Sequence, residues 1–177
     1  MQAPGCGAGP IEYRAIGVLR TPFERVEGMP IQPIGARGVR GFAAIEPQYQ
    51  LGLKDLSGFS HLILLYHLHQ AAPGELLIRP FLDGAEARGV FATRAPRRPN
   101  PIGFSVVKLV AVRDDGLEIE EVDMLDGTPL LDIKPYVPAF DARATDRIGW
   151  LAGRAEAARE VRADGRFSHD DPGLTTR

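Results

Sequence analysis

Apolar and polar positions alternate along this chain in short runs broken by Gly and Pro. From Tyr13 onward the pattern predicts strands over 13–19, 38–45, 61–69, 76–82, 89–93, 103–113, 117–125 and 130–133. Asp114-Asp115-Gly116 reads as a hairpin turn, because Asp-Gly tolerates the positive φ that tight hairpins use. In the following strand Leu117 and Ile119 carry the apolar parity, but Val122 and Met124 carry it afterwards. Such a phase break predicts a bulge near Glu120-Glu121, a device that curls a sheet or re-aims a side chain. Many short strands without long helices between them predict a mainly β fold, a barrel or sandwich and not a doubly wound sheet. Only 146–161 looks helical, with Trp150, Leu151, Ala155 and Ala158 along one face and Gly149 and Gly153 weakening its first half. The tail from Arg162 reads as polar and loose.

Composition narrows the function classes. A chain of 177 residues is long enough to bury a core without disulfide staples. Its net charge of −2 argues against a general nucleic-acid coat, while leaving room for a local basic patch. Cys6, the lone cysteine, fits a reducing compartment. No apolar run reaches the roughly 20 residues a bilayer span needs. The expectation is a soluble cytoplasmic protein with no membrane partner. Residues 1–12 read as a disordered leader rich in Gly, Ala and Pro. Its run of glycines at Gly5, Gly7 and Gly9 is no nucleotide loop, since no strand precedes it and Pro10 follows.

The most informative stretch is Gly89 to Ser105. It sets Arg94, Arg97 and Arg98 among Pro96, Pro99 and Pro101, in a region from Ala87 to Arg113 with six basic residues and no acidic one. Proline fixes its own φ and pushes its predecessor to extended geometry, so the loop is stiff. Guanidinium groups on a stiff loop suit a carboxylate or phosphate; a braced crossover with solvated arginines fits the residue types slightly better. Asp126-Gly127-Thr128-Pro129 reads first as a turn and second as a polar cradle at a strand end. Asp132, Lys134 and Tyr136 share one parity, fitting equally a polar site or an exposed sheet face. His67 and His69 form a His-x-His pair that could begin a metal site in a barrel, but His61 lies roughly 20 Å from His67 along an extended strand. Structural or ligand-contact roles are favoured for these histidines, and no metal is expected. No nucleophile elbow is present, and Cys6 sits in the leader.

Together the pieces resemble one family. Ile16-Gly17-Val18, Phe59-Ser60-His61-Leu62, His69-Gln70, Gly89-Val90-Phe91-Ala92-Thr93-Arg94, Arg98-Pro99-Asn100-Pro101-Ile102-Gly103, Asp126-Gly127-Thr128-Pro129 and Asp132-Ile133-Lys134-Pro135-Tyr136 occur in the order and spacing of the TsaA-like domain family, the TrmO type. The resemblance covers residues 13–151. It implies a compact antiparallel β-barrel with a short C-terminal helix and no Rossmann fold, followed over 152–177 by the helix end and a polar tail where some bacterial members carry a second, tRNA-holding domain.

The resemblance also implies an S-adenosyl-L-methionine-dependent methyltransferase, acting on N6 of N6-threonylcarbamoyladenosine beside the tRNA anticodon, and a homodimer. Family cofactor contacts fall on Pro30, Gln32, His69, Gln70, Arg94, Val106, Asp126, Gly127, Thr128 and Pro129. Ile31 departs from the Arg that many members place between Pro and Gln. The cofactor's methyl is already electrophilic, so the protein must position the acceptor and take its proton. Asp126, Asp132 and Tyr136 are the candidates for that proton, in descending order. Arg97, Arg98 and Lys134 are candidates for holding substrate carboxylate or phosphate. The alternatives are a methyltransferase on a small-molecule acceptor, a non-catalytic cofactor-binding barrel, and a metal-dependent enzyme using His67 and His69.

Overall fold

In the computed structural model, which describes residues 9–168, six antiparallel strands close into a barrel. These are β1 (Gly17–Arg20), β2 (Arg40–Ile45), β3 (His61–His67), β6 (Ile102–Arg113), β7 (Gly116–Glu120) and β8 (Thr128–Pro135). Around the barrel their order is β1-β2-β7-β6-β3-β8. Alternation decides what fills the interior. Leu62, Leu64 and Tyr66 of β3 point inward and meet Leu19, Ala43, Ile45, Val107, Leu117, Ile119 and Leu130. Each such aliphatic side chain contributes roughly 2 kcal/mol by leaving water. The leader up to Ala8, including Cys6, and the tail from His169 lie outside the described residues.

Closure depends on irregularities. The β3–β8 register slips between Leu65 and Tyr66, and the β6–β7 register between Leu109 and Ala111. At the expected phase break β7 stops at Glu120, and Glu121 turns left-handed with φ of 72°. The amides of Glu121 and Val122 both donate to the Val39 carbonyl, which is how a bulge is built. The chain leaves this bulge re-aimed, with Val122 and Met124 in the core and Asp123 turned toward the barrel's end. The β6–β7 hairpin forms as expected, with Arg113 opposite Gly116, but for another reason. Neither Asp114, Asp115 nor Gly116 has positive φ. Gly116 is small because the Ala43 carbonyl and the Phe42 ring lie against it.

Four expectations are corrected. The strand read over 76–82 shortens to β4 (Leu77–Ile78), paired with β5 (Arg88–Gly89) in a separate ribbon. Residues expected to extend β5 instead form a 3-10 turn, Val90–Ala92, burying Val90 against Ile78, Ala95 and Phe167. The helical character over 146–161 divides into two 3-10 segments, Gly149–Leu151 and Ala155–Arg159. Gly149 and Gly153 sit at φ of 58° and 74°, which a continuous right-handed helix cannot accommodate. One α-helical turn, α1 (Pro138–Asp141), follows β8. The segment after Arg162, expected to be loose, folds back as far as Ser168. Bridges join Arg162 to Pro30 and Ser168 to Ala71, and Phe167 is buried.

Candidate active site

One end of the barrel opens into a cavity of about 370 Å³. Its floor is the end of β3 (Tyr66), the start of β6 (Ile102, Gly103, Phe104) and the post-bulge segment from Asp123 to Leu125. Its walls are residues 29–32, the loop after β5, and the returning segment with Ala163, Phe167 and Ser168. The volume lies in the range of small-molecule sites, and the mostly apolar lining with a few convergent polar groups is their usual construction.

The floor carries a polar chain of buried Tyr66 and Ser105 and partly buried Asp123. Tyr66 lies over Gly103, where even a methyl group would collide with its ring. That fit aims the phenol at Ser105 Oγ, 2.9 Å away, and Ser105 donates to Asp123 Oδ1 at 2.6 Å. Serine has one proton to give, so Tyr66 must be the donor in the first bond. Burial raises the Tyr66 pKa, reinforced by the nearby Asp123 charge, so the phenol stays protonated. Burial also pushes Asp123 up to about 7, although the Ser105 hydrogen bond and the Arg94 charge favour its anion. Among the described residues Asp123 is the sole carboxylate in the cavity lining.

Opposite the floor, Arg94 lies 5.9 Å over the Phe104 ring, and its Nη1 donates to Gln32 Oε1 at 2.9 Å. Gln32 in turn donates to the Ile31 carbonyl at 2.7 Å. His69 and Thr128 line the same space, with Nδ1 and Oγ1 3.5 Å apart. Desolvation lowers the His69 pKa, with His67 as a second cause, keeping the ring neutral near pH 7.

The residues singled out from sequence therefore separate. Pro30, Gln32, His69, Gln70, Arg94, Arg98 and Thr128 line the cavity. Val106 faces outward opposite Ile63, and Pro129 pairs with Val18 in the wall between β1 and β8. Asp126 and Gly127 form the turn that their residue types first suggested. Asp126 accepts from the Thr21 amide at 3.1 Å and pairs with Arg20, while Gly127, at φ of 76°, donates to the Leu19 carbonyl. Asp132 and Lys134 do share a face, and they pair with each other at 2.6 Å away from the cavity. Tyr136 packs edge-on against His61.

The expected substrate arginines are committed to bracing the loop. Arg97 is buried, with Nη2 donating to Glu75 at 2.7 Å and Nε to the Pro73 carbonyl at 3.3 Å. Arg98 Nη1 gathers the carbonyls of Val90, Thr93 and Ala95. Sequence reading missed Tyr66, Ser105 and Asp123. No sequence signal marks Asp123, since an acid alternating with apolar Val122 and Met124 reads as solvent-facing. His67 ends β3 on the exposed side while His69 turns into the cavity; among the described residues no group of three or more His, Cys, Asp or Glu is placed to hold a metal.

Comparison with known proteins places this geometry in a family. The tRNA-methyltransferase O N-terminal domain matches residues 18–142. The chain is 51% identical over 155 residues to a probable S-adenosyl-L-methionine-binding protein of Pyrococcus abyssi, covering 88% of this chain and 84% of that one. It is 40% identical to the tRNA (adenine(37)-N6)-methyltransferase of Escherichia coli, covering 83% of this chain and 66% of that one. The crystal structure of TrmO from Pseudomonas aeruginosa superposes with a TM-score of 0.67 at 39% identity, covering 80% of this chain and 63% of the solved one. The chain thus spans just under two thirds of the last two proteins. Sequence match, barrel and superposition agree: this chain belongs to the TrmO family and carries its N-terminal domain.

Proposed function

We propose that this protein is an S-adenosyl-L-methionine-dependent methyltransferase whose acceptor is N6 of N6-threonylcarbamoyladenosine in tRNA, and that the cofactor occupies the cavity at the barrel's end. The observation that carries the reading is convergence: Pro30, Gln32, His69, Gln70, Arg94 and Thr128, dispersed in sequence, meet around one cavity of ligand size. The cavity fits the group chemically. Apolar walls suit an adenine ring, and the Arg94 guanidinium suits the carboxylate at the ligand's amino-acid end. When bound, the cofactor supplies an electrophilic methyl. Arg94 and Gln32 would hold its polar end, and Phe104 and Phe81 would exclude water. The name of the Pyrococcus relative supports the cofactor, and that of the Escherichia relative supports a tRNA adenine N6 as the acceptor atom.

A homodimer is the expected assembly. Ile102 and Phe104, at the edge of the cavity, keep much of their apolar surface exposed, supporting a partner surface beside the site. Sedimentation of the purified protein tests it.

The deciding experiment transfers labelled methyl from S-adenosyl-L-methionine to tRNA containing N6-threonylcarbamoyladenosine, with unmodified tRNA as control. Label on the modified tRNA alone is expected. Cofactor binding without label would redirect the search to other acceptors, and neither would overturn the methyltransferase reading.

A further inference from the structure

We propose that Asp123 is the general base of this site, taking the proton from the acceptor nitrogen, with Ser105 and Tyr66 as the residues that position it. The inference rests on the methyltransferase reading above. The sequence offers Asp126, Asp132 and Tyr136 as candidate bases, and the fold engages each elsewhere. Asp126 is tied to the Thr21 amide and Arg20, Asp132 to Lys134, and Tyr136 to His61, all off the cavity lining. Asp123 is the carboxylate that reaches the lining, and the bulge at Glu121 aims it there.

Its surroundings fit the task. Ser105 donates to Oδ1 at 2.6 Å, and the backbone amide of Asp123 itself also supports the carboxylate. The residue lines the cavity, where an acceptor can reach it. Groups facing it come from every packed element: Tyr66 from β3, Ser105 from β6, and Arg94 from the loop after β5. His69 and Arg98 also line the cavity, the latter committed to three carbonyls. A base is most effective when its pKa sits near the working pH, and burial lifts Asp123 to about 7.

The step balances. The acceptor N6 gives its proton to a carboxylate oxygen of Asp123 while its lone pair forms the N–CH3 bond. The electron pair of the broken methyl–sulfur bond stays on sulfur, turning sulfonium into neutral thioether. Asp123 returns the proton to water once product leaves.

The test compares wild type, Asp123→Asn and Ser105→Ala in three readouts. In single-turnover methyl transfer to the modified tRNA, Asp123→Asn should fall about 10²–10⁴-fold at pH 7 and lose the inflection near neutrality. Cofactor affinity by calorimetry should stay within about threefold. Ser105→Ala should lose part of its rate even at high pH, where Asp123 is less well positioned. Its inflection should move to higher pH, because the lost hydrogen bond had favoured the anion. Carboxyl ¹³C NMR of the cofactor-free protein should show a titration near pH 7 that is absent from Asp123→Asn. A rate retained within threefold, a rate loss matched by lost cofactor affinity, or titration near pH 4 would each overturn the role. A wild type that moves no methyl to this tRNA would instead overturn the function on which the inference rests.

Discussion

Arg94 Nη1 donates to Gln32 Oε1 across 2.9 Å, joining residues 62 positions apart over the mouth of the cavity. The bond ties the loop after β5 to the segment that closes the opposite wall, and the Phe104 ring supports the guanidinium from below. Arg94→Ala is expected to weaken cofactor binding roughly ten- to hundredfold in calorimetry, the usual cost of a hydrogen bond to a charged group. Arg94→Lys should recover little of it, since a point charge cannot reproduce the planar fork.

Asp123 makes stability depend on pH in an unusual direction. Its carboxyl pKa is raised to about 7 in the folded protein against about 4 unfolded, so the native state binds the extra proton between these values. Stability from this group therefore falls as pH rises from about 4 to about 7 and levels off above. The difference between wild type and Asp123→Asn in urea unfolding should grow through that window, with Asn the more stable protein at pH 8 by an amount on the order of a kcal/mol or more. A variant that is more stable yet slower would separate chemistry from folding, as expected where a site retains a costly group for function.

Gly103 and Tyr66 form a fitted pair on adjacent strands. Gly103→Ala should lower stability by about 1–3 kcal/mol in chemical denaturation, because the ring must leave its place over the glycine. The same displacement should break the Tyr66–Ser105 hydrogen bond, so methyl transfer should fall more than cofactor affinity does.

Arg97 should behave as a structural residue. Arg97→Ala is expected to cost about 1–3 kcal/mol, the lower end reflecting that Glu75, half-exposed, can turn to water. The salt dependence of tRNA binding should keep its slope, which a lost phosphate contact would have lowered by about one. A flattened slope would restore Arg97 to the substrate surface.

Asp126 offers the matching control at the turn before β8. Asp126→Ala should cost about 1 kcal/mol of stability through the freed Thr21 amide, and reduce cofactor affinity less than Arg94→Ala does. An equal or larger loss of affinity would bring Asp126 back to the cofactor.

The barrel was legible because its strands alternate. Leu62, Leu64 and Tyr66 announce the inner face of β3 without tertiary information, and the parity switch after Glu120 announces the bulge. What stayed hidden depends on contacts made far along the chain. Val90 turns inward where the pattern continued a strand, because Phe167 offers it a second small core. The run over 146–161 has helical composition, but Gly149 and Gly153 adopt left-handed geometry that the alanines cannot override. Asp123 was invisible for a related reason: a period-two pattern says which face a residue takes, not that β3, β6 and the loop after β5 converge on it. Arg97 and Arg98 announced charge, and only the fold shows that Glu75 and three carbonyls consume it.

The returning segment sets an order of events during synthesis. The last barrel strand ends at Pro135, so every strand has left the ribosome well before Ala163, Phe167 and Ser168 emerge. The barrel can close as a nascent chain, but the cavity lacks a wall until those residues dock beside Pro30 and Ala71. Ligand capture is consequently a late event, reserved for chains whose translation has run past the barrel.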